Sequence, residues 1–268
     1  MAKEPSRRTP SPADLRDRIL DDFRVLNVPL KAEQLDALLV RAEREGLSHL
    51  QFLHLVLAEQ ADQRRERAIA RRVREARFRE VKSWNDFDWK FNAGTIKRAQ
   101  MEELATGEFI RRRNNLIFVG QTGLGKSSLI QMIGHRACVL GYRVRYITSA
   151  ELLSDLNASL ATQTLPVRIR YYAKFDLLVI DEFGFDYIER MEMEPRQAAN
   201  LLYKIIDTRN QKHSTALITN VDFKSWEDYL GDPPVMLASL DRLVHGAIVL
   251  KLQGKSYRAH QANQPPQS

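Results

Sequence analysis

Gly120-Gln121-Thr122-Gly123-Leu124-Gly125-Lys126-Ser127 stands directly after the apolar run Leu116-Ile117-Phe118-Val119 and directly before a helical pattern that opens at Lys126. The glycine spacing and the Lys-Ser ending are those of a phosphate-binding loop. Glycine lets successive backbone N–H groups curl around phosphate oxygens, and the helix N-terminus adds partial positive charge. On this reading the loop through Ser128 holds the phosphates, Lys126 reaches the terminal ones and Ser127 ligates Mg²⁺. Three of the 12 glycines fall here, so a chance Gly-rich turn is a poor account of the pattern.

Working outward, Phe175-Asp176-Leu177-Leu178-Val179-Ile180-Asp181-Glu182 reads as a buried strand ending in two acids, 55 residues beyond Lys126. In a parallel sheet ligands bind at the carboxyl ends of strands, which brings Asp181 and Glu182 beside the loop. Asp181 then holds Mg²⁺, and Glu182 orients and deprotonates an attacking water. Further runs read as strands at Arg143 to Ile147, Thr215 to Thr219 and Ala247 to Leu252, separated by helical patterns at 95–111, 126–140, from Ala150 onward, 195–208 and 235–243. Five strands interleaved with helices predict a parallel α/β sheet covered by helices. Asn220 follows the fourth strand, where it either contacts a γ-phosphate or forms a turn. Arg242 sits near a helix end, where capping is the plain reading, and Arg258 lies just past the last strand.

The chain before this core is helical in pattern. Ser11-Pro12-Ala13-Asp14 supplies an N-cap, a first-position proline and an acid, followed by Leu15, Ile19, Phe23 and Leu26 on one stripe. A second helix runs from about Lys31, with Leu35, Leu38, Leu39 and Ala42 on one face, and Gly46 is placed to stop it. Ser48 with Gln51 opens a third, apolar through Phe52, Leu53, Val56 and Leu57, then strongly basic. Between Arg64 and Lys82 there are nine Lys and Arg against three acids, read either as a solvated face or as a phosphate-facing one. Asp86-Phe87-Asp88-Trp89-Lys90-Phe91 alternates polar and aromatic and predicts an extended linker with one buried face. The expected division is a tail at 1–10, a helical domain at 11–80 for self-assembly or DNA contact, a linker at 81–94, the nucleotide-binding domain at 95–260 and a tail at 261–268.

Composition sets bounds. The net charge is +7, with 24 Lys and Arg against 19 Asp and Glu up to Arg113, so the excess is N-terminal and permits a polyanionic partner. One cysteine, Cys138, excludes an internal disulfide framework and any multi-cysteine zinc module, and reads as a buried helix residue. The chain has no apolar run of membrane-spanning length and its N-terminus is not a secretory signal, so a cytoplasmic location and no membrane partner are expected.

In order along the chain, the phosphate loop, the Val-Ile-Asp-Glu strand, Thr219-Asn220, Leu240-Asp241-Arg242-Leu243-Val244-His245 and Gly254-Lys255-Ser256-Tyr257-Arg258 resemble the AAA+ ATPases of the IstB type. These are helper ATPases encoded beside transposases in bacterial insertion sequences, and DnaC-type helicase loaders share their core. Trp84-Asn85-Asp86-Phe87-Asp88-Trp89 is similar to that family's Leu-Glu-Asp-Phe-Asp-Phe linker, so the resemblance covers about residues 80 to 260. It implies ATP and Mg²⁺ as cofactors, with Asn220 as the first sensor, Arg242 as an arginine finger reaching a neighbouring subunit and Arg258 as the second sensor. Phe87, Trp89 and Phe91 then either wall the adenine or pack in the core. The family's Ser-Asn after the strand-end threonine is replaced here by Asn220-Val221, and the few residues after Arg258 leave no room for a helical lid domain. His245 is expected to pack.

The implied activity is ATP hydrolysis at subunit interfaces of a homo-oligomer, a ring or a helical filament, that assembles on duplex DNA, remodels it and recruits a transposase. Arg64, Arg65, Arg71, Arg72, Arg74, Arg168, Arg170 and Lys174 are its candidate DNA contacts. The alternative is a helicase loader on single-stranded DNA. A small-molecule kinase on the same loop would need a substrate lid and pocket that the sequence does not offer.

Overall fold

The computed structural model describes residues 11–28, 30–184, 193–221 and 233–262. The expected tail at 1–10 and residues 263–268 of the other lie outside them. The chain divides into two compact units, Met1–Ala68 and Ile69–Ser268. The expected boundary near residue 80 thus falls inside the second unit.

The first unit holds α1 (Pro12–Val25), α2 (Ala32–Glu45) and most of α3 (His49–Ala76). The Ser11 hydroxyl accepts from the Asp14 N–H at 3.2 Å while Asp14 accepts from the Ser11 N–H at 3.1 Å, the predicted capping box. Ser48 and Gln51 repeat it at the start of α3, with bonds of 3.4 and 2.8 Å. Gly46 ends α2 in a left-handed conformation, φ 61°. The small core is Leu20, Leu30, Leu35, Leu38 and Val56, with Phe23 and Phe52 half-buried beside it. The predicted stripe of α1 is corrected: Leu15, Ile19 and Leu26 are exposed, and Leu20, off that stripe, is buried. Leu39, Leu53 and Leu57 are exposed as well.

In the second unit β1 (Leu116–Val119), β2 (Val144–Thr148), β3 (Leu177–Phe183), β4 (Ser214–Thr219) and β5 (Ile248–Lys251) form one sheet in the order β2-β3-β4-β1-β5. All pairings are parallel. Strand residues alternate faces, and both faces are dry. Ile117, Val119, Leu178, Ile180 and Leu217 pack with α7 (Ser149–Ala161), α8 (Leu165–Ala173), α9 (Pro195–Arg209) and α10 (Pro233–Val244). Leu116, Phe118, Val179 and Ile218 pack on the other side with α4 (Arg98–Leu104), α5 (Glu108–Arg111) and α6 (Lys126–Val139). Each such fully buried side chain contributes about 1.5–3 kcal/mol. A short α11 (Tyr257–Ala262) follows β5. Cys138 is buried on α6, as its sequence context predicts.

Four local expectations change. The single helix over 95–111 is two, because Gly107 at φ 76° breaks it, and a Cβ there would come within 2.9 Å of Tyr142. The basic helix stops at Ala76, with Arg77 left-handed at φ 56°, so Arg79 and Lys82 lie beyond it. The stretch 86–91 is a series of turns, not extended: the Asp88 carboxylate accepts from the N–H groups of Lys90 and Phe91 at 3.0 and 3.1 Å, which curls the chain. The polar connection before β3 contains α8, whose early Pro166 suits a helix start. No helix among the described residues is long and apolar enough to cross a membrane.

Candidate nucleotide site

The loop between β1 and α6 wraps a cavity of about 470 Å³. Thr122 through Ser128 line it on one side, with Asp181 and Glu182 at the end of β3. Gly120 and Gln121 lie one step behind, and their carbonyls accept from Lys126 Nζ at 2.6 and 2.8 Å. Lys126 is thus folded onto its own loop and is only 7% exposed. Burial pulls its ammonium below the usual lysine range; Asp181 opposes that shift and Arg258 adds to it. Gly123 needs to be glycine on two counts. Its φ is 85°, and a Cβ would sit 2.1 Å from Ser256 Oγ, because the segment after β5 presses on the loop and the Tyr257 N–H donates to the Gly123 carbonyl at 2.9 Å.

The two acids are handled differently. Asp181 is 1% exposed; its Oδ2 accepts from the Tyr146 hydroxyl at 2.6 Å and its Oδ1 from the Glu182 N–H at 2.7 Å. Burial and the neighbouring carboxylate both push the Tyr146 phenol up, so it remains a donor. Glu182 sits at φ 60°, where the β3–β4 register shifts between Ile180 and Phe183. This bulge turns its carboxylate outward, where Arg79 Nη1 donates to Oε1 at 2.9 Å. Arg79 Nη2 also reaches Glu151 at 3.5 Å. Burial works against the Arg79 charge, but Glu182 and its neighbours outweigh it and hold the guanidinium pKa above its ordinary value.

The other expected residues divide. Arg258 lines the cavity with Tyr257, and so do Phe87 and Phe91. Trp89 does not; it stacks on Trp84 at 5.5 Å and tilts against Phe87 at 4.6 Å, which makes it a packing residue. Asn220 is exposed at the end of β4 and is not among the lining residues. Arg242 is also absent from the lining: its Nε donates to Asp207 at 2.8 Å and its guanidinium lies 4.9 Å from the Tyr203 ring. His245 is exposed rather than packed, since α10 ends at Val244 and the chain turns there into solvent. Of the basic candidates, Arg64, Arg65, Arg71, Arg74, Arg170 and Lys174 are exposed. Arg72 donates to the Cys138 carbonyl at 3.5 Å, and Arg168 pairs with Asp155.

Sequence reasoning did not anticipate Tyr146, Arg79 or Arg209. Arg209 is 1% exposed and donates to the carbonyls of Tyr172, Phe175 and Ser214 at 2.8, 2.8 and 2.5 Å, with Nε on Thr215 Oγ1 at 3.1 Å. It ties the end of α9 to the starts of β3 and β4. An arginine closing a helix looks in sequence like an ordinary C-terminal cation.

Comparison with known proteins agrees with this geometry. The family described as IstB-like ATP binding protein matches residues 23–265. A protein named as an ATP-binding protein of insertion sequence IS232 from Bacillus thuringiensis is 32% identical over 79% of this chain and 82% of its own length. Its counterpart in insertion sequence IS21 of Pseudomonas aeruginosa is 30% identical over 89% of each chain. Among solved structures, that of DnaI superposes with a TM-score of 0.52 at 18% identity, covering 64% of this chain and 90% of DnaI, a likeness of fold. The chain is a member of the IstB-like ATP binding protein family, built on the P-loop AAA+ fold.

Proposed function

We propose that this protein is the ATP-hydrolysing helper of an insertion-sequence transposase, and that it binds duplex DNA as a homo-oligomer in its ATP state. The observation that carries this reading is the convergence of Lys126, Ser127, Asp181 and Glu182, from two separated segments, on one cavity also lined by Arg258. Lys126 exchanges its loop carbonyls for the terminal phosphates, and the loop N–H groups hold the remainder. The Ser127 hydroxyl and the Asp181 carboxylate are hard oxygen donors that fit Mg²⁺, which neutralises charge on the phosphates. Glu182 takes the proton of the attacking water once Arg79 lets it go. Phe87 and Phe91 offer flat apolar surface to the base.

Arg242 does not line its own cavity and is held by Asp207 and the Tyr203 ring; it is assigned to act on a neighbouring subunit, for which it would leave Asp207. Such fingers contribute about 10³- to 10⁵-fold in rate, so an isolated subunit hydrolyses slowly. Asn220 at the β4 end is assigned to sensing the γ-phosphate. The exposed apolar residues of α1 to α3 suit self-assembly, and exposed Arg64, Arg65, Arg71, Arg74 and Arg170 suit phosphate contact. The names of the relatives put them in insertion sequences, and that context supports the reading of a transposase as partner.

The test is binding of matched duplex and single-stranded DNA with Mg²⁺ and no nucleotide, ADP or AMPPCP, with assembly size read in the same samples. Cooperative, AMPPCP-dependent loading on duplex is expected. Preference for single strands, or indifference to DNA in every nucleotide state, overturns the DNA part of the reading. Hydrolysis by Glu182→Gln at the wild-type rate overturns the role given to Glu182.

A further inference from the structure

Next to the acidic end of β3, but outside the nucleotide cavity, lies a second cavity of about 290 Å³ at the β2 edge of the sheet. Its lining carries four arginines, Arg77, Arg79, Arg145 and Arg168, against two acids, Glu151 and Asp155. The acids already have partners: Asp155 accepts from Arg168 and from the Tyr172 hydroxyl, and Glu151 accepts from the Thr148 N–H at 3.1 Å and from Arg79. Arg145 has none of comparable strength. It is 5% exposed, its Nη1 reaches only the Glu75 carbonyl at 3.4 Å, and its Nε has no hydrogen-bond partner. Among the described residues no carboxylate pairs with Arg145 or Arg77.

A guanidinium stays charged, and an unpaired buried charge is costly, so a buried arginine on a cavity wall calls for an anion. The formal excess on the lining is +2, which a phosphate group offsets. The guanidinium fork matches two phosphate oxygens at once. Arg79 belongs to both places, since it lines this cavity while holding Glu182. We propose that this cavity binds a single phosphate group on Arg145, Arg77 and Arg79, and that the bound phosphate competes with Glu182 for Arg79. An occupied site then frees the carboxylate. The coupling rests on the role proposed for Glu182; the site itself does not.

The test titrates inorganic phosphate calorimetrically into the full chain, with the nucleotide loop first saturated by AMPPCP and Mg²⁺. One remaining phosphate site is expected, weakened at least tenfold by Arg145→Met and severalfold by Arg77→Gln, and unaltered by Arg71→Gln on α3. Arg77 is exposed, so its variant keeps the test open should Arg145→Met fail to fold. Absence of phosphate binding with the loop filled, or wild-type affinity in both variants, overturns the site. Because the Arg79–Glu182 pair is half-exposed, Glu182→Gln should tighten phosphate by about 1.4- to 5-fold. Unchanged affinity there overturns the coupling alone, and since the readout is phosphate binding, failure of the hydrolysis reading leaves the site untouched. Salt dependence of duplex binding separates the two phosphate sources. If the phosphate belongs to DNA, the slope for Arg77→Gln becomes shallower by about 0.9; if it is a free anion, the slope is that of the wild type.

Discussion

Replacing Tyr146 by phenylalanine removes one oxygen, and the structure says what that oxygen does. It donates at 2.6 Å to Asp181 Oδ2, on a carboxylate that is 1% exposed and has one other donor among the described residues, the Glu182 N–H. A hydrogen bond to a charged group contributes about 1.5–3 kcal/mol, and here its loss also leaves a buried acceptor bare. In a unit of this size each kcal/mol moves the melting temperature by about 2–4 °C, so Tyr146→Phe should melt about 3–12 °C lower without nucleotide. Saturating Mg²⁺ and AMPPCP then supply a cation at Asp181 and should narrow the gap. Scanning fluorimetry with and without that pair checks both statements. Equal melting temperatures without nucleotide would refute the claim that the phenol holds a charged carboxylate; a gap that persists undiminished with Mg²⁺ and AMPPCP would refute the metal role of Asp181.

Arg209→Met strips its donors from three buried carbonyls and should cost about 3–4 kcal/mol in urea unfolding; a loss under about 1 kcal/mol contradicts the clasp. Burial pushes the Cys138 thiol up to about 11, so at pH 8 iodoacetamide should label the denatured chain and spare the native one. Stoichiometric labelling of native protein would show that α6 opens readily. Arg242→Ala should lose turnover by about 10³-fold or more and recover part of it on mixing with Lys126→Ala subunits, an idea that falls if no mixing ratio restores activity.

What the sequence made legible is what elementary geometry dictates. The run Leu116 to Val119 is apolar throughout because both faces of a central parallel strand are dry, and the loop and acid pair announce themselves because phosphate binding requires those residue types at those spacings. The errors share another origin. Leu15, Ile19, Phe23 and Leu26 form a fair helical stripe, yet Leu20 is the residue of α1 that becomes buried, because tertiary packing and not periodicity selects the face. The aromatic alternation around Phe87 mimics a strand, while Asp88 bends the backbone through its own side chain. Tyr146 and Arg79 were hidden for a third reason. Both meet the acid pair across long sequence separations, 35 residues for Tyr146 and 103 for Arg79, and neither carries a local signature.

Those two residues explain how neighbouring acids can serve different ends. In a regular strand Asp181 and Glu182 would point to opposite faces of the sheet, one of them into the apolar layer against α7 and α9. The bulge resolves this: Glu182 takes a left-handed backbone that costs on the order of 1–3 kcal/mol for a residue with a side chain. Its own N–H bond to Asp181 and the Tyr146 hydroxyl return a comparable amount by holding the buried carboxylate. Asp181 is thereby fixed facing the loop, while Glu182 is left half-exposed with Arg79 as its partner. An ion pair in that setting contributes about 0.2–1 kcal/mol, so it is readily exchanged. The rigid acid is the one proposed to hold the metal, and the loosely held acid is the one that must change partner before it can accept a proton.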